Sequence, residues 1–79
     1  MRKTISKMRR GERGTVVAVG SSGALRRRII DMGLTPGAPV VMRKIAPLGD
    51  PLEINVRGYE LSIRKSEADE ITVETEDAR

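Results

Sequence analysis

The stretch LEINVRGYELSI, residues 52–63, decides the fold. It reads as two alternating strands, Leu52 to Val56 and Tyr59 to Ile63, joined by Arg57-Gly58. A two-residue hairpin loop fixes the register. Val56 then faces Tyr59, Ile54 faces Leu61 and Leu52 faces Ile63, so every apolar side chain of the pair falls on one face. Glu53, Asn55, Glu60 and Ser62 fall on the other. A slip of one residue would break this agreement on both strands at once. The same parity points Tyr59 inward.

Upstream, PVVMRKI (39–45) and TVVAV (15–19) are β-branched, apolar runs and read as strands. Gly11 and Gly14 flank a turn before TVVAV. Downstream, KSEADE (65–70) reads as one helical turn with Ser66 and Asp69 as a capping box. ITVE (71–74) is a last short strand, and 75–79 a frayed tail. APLGDP (46–51) is a rigid loop with two prolines around Gly49-Asp50.

Between the first two strands lies the one helix. Ser21 or Ser22 can cap it. Leu25, Ile29 and Met32 make its apolar stripe. Gly33 stands where a left-handed C′ residue is wanted, which pairs Leu34 with Ile29 in a Schellman ending. Thr35-Pro36-Gly37 then fits a type II turn, with Pro36 and Gly37 at its centre. The order is β-α-β-β-β-β: a mainly β chain of about five strands and one short α-helix. Closely spaced short strands favour a small closed or half-closed barrel. No repeat or linker divides residues 1–79, so one domain is expected, with its core over about residues 4–74.

The composition excludes several functions. The 79 residues contain neither cysteine nor histidine. That removes disulfides, thiolate metal sites and the commonest general base and metal ligand. No apolar run approaches the roughly 20 residues of a membrane span, and the basic start has no apolar segment behind it, as a secretory signal would. A cytoplasmic location is expected. The carboxylates Asp50, Glu53 and Glu60 are the remaining candidates for acid–base work or a hard-cation site. Glu53 and Glu60 sit on the outer hairpin face, in water, where neither is tuned for catalysis. The chain therefore reads as no enzyme and as holding no cofactor.

Charge points to a partner instead. Residues 1–28 hold nine Lys and Arg against the single acid Glu12, while 29–79 hold six against ten acids. Such a basic part suits an acidic partner. A single-strand-binding barrel also needs aromatic stacking platforms, and Tyr59 is the one aromatic residue. No stable nucleic-acid complex is expected. Arg26, Arg27 and Arg28 fan about 100° apart over the helix back, where Arg27 can pair with Asp31. They read as a docking face, together with Arg9, Arg10 and Arg13 of the adjoining N-terminal segment. Asp50 is a further contact candidate.

DMGLTPG (31–37), PLGDP (47–51) and RGYELSIRKSEADEITV (57–73), in this order and spacing, make the chain resemble the ferrous iron transport protein A (FeoA) family. The resemblance implies an SH3-like barrel and a cytosolic accessory role in ferrous iron uptake. Its implied partner is a FeoB-type membrane transporter, through which alone the chain would meet the membrane. Met32, Gly33, Leu34, Pro36, Gly37, Pro47, Gly49, Pro51 and Gly58 match the family signature. As turn and packing residues they are expected to be structural. The same fold serves as the regulatory domain of metal-dependent repressors, and a basic nucleic-acid-binding barrel is the rival role.

Overall fold

A computed structural model of the chain describes residues 1–76. Six strands form one antiparallel sheet: β1 (Arg2–Thr4), β2 (Arg13–Val19), β3 (Pro39–Ile45), β4 (Leu52–Val56), β5 (Tyr59–Ile63) and β6 (Ile71–Thr75). Their order across the sheet is β1-β6-β2-β3-β4-β5. Helix α1 (Gly23–Asp31) follows β2, and the short α2 (Lys65–Ala68) precedes β6. A 3-10 turn, Ile5–Lys7, follows β1. None of the described helices is long and apolar enough to cross a membrane.

The hairpin has the register read from its sequence, with Leu52, Ile54 and Val56 opposite Ile63, Leu61 and Tyr59. Arg57 and Gly58 both have positive φ, as a type I′ turn requires. Tyr59 departs from the expectation. Parity puts it on the core face, yet it is 74% exposed. Its partner Val56 is buried in the core, so the exposure belongs to the turn end of the edge strand β5 and not to the whole face.

β2 begins at Arg13, not Thr15, so Gly14 lies inside a strand rather than bounding a turn. The reason is contact with β6. A Cβ at Gly14 would stand 3.2 Å from the Glu74 carbonyl oxygen and 3.3 Å from the Val73 Cβ. Irregularities at Val16/Ala18 in β2 and Met42/Lys44 in β3 bend the two central strands. Bulges of this kind add twist and let a sheet curl over its own face.

β1 is a strand that composition did not announce. Arg2, Lys3 and Thr4 pair with Glu74, Val73 and Thr72. Thr75, expected in a frayed tail, closes the same ladder: it is buried, and its backbone N–H donates to the Met1 carbonyl over 2.8 Å. Glu76 is exposed beyond the strand, and residues 77–79 of the expected tail lie outside the described residues.

The core gathers side chains from every strand but β1, including Val16, Val40, Ile54, Ile63 and Val73, and Ile29 and Leu34 at the end of α1. That helix ends as its sequence predicts. The Leu34 N–H donates to the Ile29 carbonyl and the Gly33 N–H to the Ile30 carbonyl, the two bonds of a Schellman motif. Gly33 takes φ +94°, where any side chain would be strained. The turn that follows closes with the Ala38 N–H on the Thr35 carbonyl at 2.9 Å.

Candidate functional site

The three arginines of α1 do fan outward, but two of them have internal work. Arg26 donates from Nη1 to the Val19 carbonyl at 2.9 Å, tying the helix to the end of β2. Arg28 places Nε 3.3 Å from Oε2 of Glu67. Arg27 makes no ion pair with Asp31 among the described residues, contrary to expectation. It lines a shallow cleft on the helix flank with Gly23, Arg26 and Ile30. Ser22 is the N-cap residue, but its side chain makes no capping bond.

Arg9, Arg10 and Arg13 are exposed at the other end of β2. The turn that carries them is fastened to β3 by the Gly11 N–H on the Met42 carbonyl. Glu12 organises it from within. Its carboxylate accepts the Arg9 backbone N–H at 2.8 Å and meets the Lys3 ammonium at 3.0 Å. Burial pushes the Glu12 carboxyl up, but the Arg9 N–H and the Lys3 ammonium outweigh it and hold it below the ordinary value. Arg13 and Val19 are the two ends of a seven-residue strand, roughly 20 Å apart at strand rise. The two basic groups therefore stand at opposite ends of β2 and do not adjoin as the sequence suggested.

Asp50, exposed in the 46–51 loop, accepts the Lys65 backbone N–H at 2.9 Å and so anchors the start of α2. The signature residues lie in turns. Met32, Gly33 and Leu34 form the helix ending, Pro36 and Gly37 the next turn, and Gly58 the hairpin loop. Pro47, Gly49 and Pro51 belong to the loop that the Gly49 N–H closes on the Ala46 carbonyl at 2.7 Å.

The carboxylate candidates do not assemble. Among the described residues no three acidic side chains stand close enough to share a metal ion. Glu53 faces Ser62 across the hairpin. Glu60 accepts from Asn55 at 2.8 Å and pairs with Arg43 at 3.6 Å.

Sequence reading missed Glu67. It caps α2 from the N3 position, accepting the Arg64 backbone N–H at 2.8 Å, in place of the expected Ser66–Asp69 pair. It is buried, and with Arg28 it bridges the two helices. Arg64-to-Glu67 carries only half of a capping-box pattern, since arginine has no acceptor, and nothing local announces a partner on α1. Around this bridge runs a groove of about 380 Å³, lined by Arg28, Asp50, Pro51, Ser62, Ile63, Arg64 and Glu67.

A curled antiparallel sheet on one apolar core, flanked by short helices, defines a small, mainly β domain of SH3-like form. Comparison with known proteins agrees. The FeoA domain model matches residues 3–75, and the chain belongs to the FeoA family. An FeoA protein from Chlorobium tepidum is 39% identical with a TM-score of 0.87, over 98% of this chain and 73% of that one. A zinc-bound FeoA from Stenotrophomonas maltophilia, described as a prokaryotic SH3 domain protein, is 28% identical with a TM-score of 0.80, over 91% of this chain and 89% of that one. A curated relative, the Fe(2+) transport protein A/Fe(2+) transporter FeoB fusion protein of Porphyromonas gingivalis, is 33% identical over 89% of this chain. The chain spans only 8% of that protein's length. Manganese-dependent repressors share the fold alone, at 14–16% identity.

Proposed function

We propose that the chain is a non-enzymatic accessory module of ferrous iron uptake that docks on the cytosolic side of a FeoB-type transporter. One observation carries this reading: a relative in which an FeoA part is fused to a FeoB transporter. Fusion holds two parts at high effective concentration, which is useful where they act on one another. The absence of histidine and cysteine supports a binding rather than a catalytic role. Arg27 at the α1 end, and Arg9, Arg10 and Arg13 at the other, are the proposed contacts for acidic patches of the transporter. Iron is the cargo of the partner in this reading.

The test is co-purification of the tagged chain from detergent-solubilised native membranes, washed at physiological and then high salt, with retained species identified by mass spectrometry. A multi-pass transporter that is released by high salt is expected, because exposed charge contacts are screened. Recovery of nucleic acid without a transporter would sink the reading and favour the rival role.

A further inference from the structure

β5 is an edge of the sheet, bonded to β4 on one side only. In a hairpin closed by a two-residue loop the flanking pair, Val56 and Tyr59, exchanges hydrogen bonds, and the pairs then alternate. Leu61 and Ile63 therefore bond to β4, while the backbone groups of Glu60 and Ser62 point away from it. Among the described residues no backbone or side-chain group takes those outward N–H groups. The Ser62 end of this edge lies on the groove whose lining includes Arg64, Arg28, Asp50 and Glu67.

The free hydrogen-bonding capacity of this groove is mostly that of donors. Glu67 serves the Arg64 N–H and Arg28 Nε, and Asp50 keeps its Oδ2 after accepting the Lys65 N–H at Oδ1, against the several N–H groups of two guanidiniums. Glu60 turns over the outer face to Asn55 and Arg43. The terminal nitrogens of Arg28 and the guanidinium of Arg64 have no described partner. Tyr59, 74% exposed, stands at the head of the same edge, and exposed tyrosine is a frequent anchor at protein contacts.

We infer that the β5 edge receives an extended segment of a partner protein that carries an acidic side chain, which adds a strand beside Glu60 and Ser62 and places its carboxylate between Arg28 and Arg64. Main-chain bonds supply the affinity in this mode, and the flanking side chains the selectivity. A second copy suits the groove less well. Its β1 edge brings Arg2 and Lys3 toward arginines, and its β5 edge brings Glu60, which Asn55 and Arg43 already engage.

The probe is a blocked pentapeptide of alternating threonine and valine around one central glutamate, with a lysine counterpart. It is titrated to millimolar concentration into the 15N-labelled full chain. The glutamate peptide is expected to shift the Glu60, Ser62 and Arg64 amide resonances and to slow exchange of the Glu60 and Ser62 N–H groups. The lysine peptide binds at least about tenfold more weakly, and Arg64→Gln removes that difference. Ser62→Pro deletes an outward donor at an edge, where proline is tolerated, and is expected to abolish binding while the core resonances stay in place. Silent edge amides, equal affinity for both peptides, or undiminished binding by Ser62→Pro would each overturn the inference. So would a peptide-free dimer that Ser62→Pro dissociates, which gives the edge to a second copy. Inorganic phosphate that moves Arg64 as the glutamate peptide does, with the edge amides still, would reduce the groove to a small-anion site.

Discussion

The two edges of the sheet are held in opposite ways. β5 is fastened to β4 by neighbouring residues of one hairpin, with apolar side chains in register. β1 is fastened to β6 from the far end of the chain, and charge does much of the holding. Glu74 takes both the Met1 ammonium, at 2.6 Å, and Arg2 Nε, at 3.0 Å, while Lys3 reaches Glu12. A local, apolar edge resists truncation of charge and fails by loss of packing. A distant, charged edge does the reverse, and contributes less because charge pairs near water are screened.

The largest test of this contrast is Ile54→Ala. Ile54 is fully buried at the centre of the hairpin. Its removal is expected to cost about 2–5 kcal/mol, measured by denaturant unfolding. Glu67→Ala comes next, at about 1–3 kcal/mol, because it strips the acceptor from the Arg64 N–H and the partner from Arg28. Lys3→Ala at the charged edge is expected to cost no more than about 1 kcal/mol. A loss equal to that of Ile54→Ala would break the comparison.

Acid should separate the two edges as well. Glu74 is held below the ordinary carboxyl value by the Met1 ammonium and Arg2, and Glu12 lies below it too. Carboxyls depressed in the folded state stabilise it fully above the unfolded value, about 4.3, and lose that contribution as pH falls through the folded value. Amide protection at Lys3 and at its ladder partner Val73 is therefore expected to fall in that window before protection in the β4–β5 ladder does. Hydrogen exchange at stepped pH reads both. The smallest expected effect is a gain of a few tenths of a kcal/mol for Arg57→Asn, since Arg57 holds φ +52° and asparagine tolerates that region better. Thermal unfolding measures it.

The same contrast explains what could be read from sequence. The hairpin, the Schellman ending and the Thr35–Ala38 turn are encoded by residues a few positions apart, and each was legible. β1 was not, because Arg2, Lys3 and Thr4 have little strand character until Thr72 to Glu74 are beside them. Gly14 read as a turn because a glycine's need for a close neighbour is invisible when that neighbour is some sixty positions away. At the candidate site, the outward fan of Arg26 to Arg28 followed from helix geometry. The acceptors that engage Arg26 and Arg28 lie on β2 and α2, and no local pattern marks them.

The length of β2 has a consequence for any partner. It works as a ruler, with Arg27 beyond one end, Arg13 at the other and Arg9 and Arg10 beyond that. A ligand narrower than the strand engages one end at a time and is lost quickly. A broad surface with acidic spots at the matching interval engages both, and the second contact then forms at high local concentration. Selection between partners becomes a question of spacing as much as of charge, and two modest contacts become a slow-dissociating one only where the interval fits.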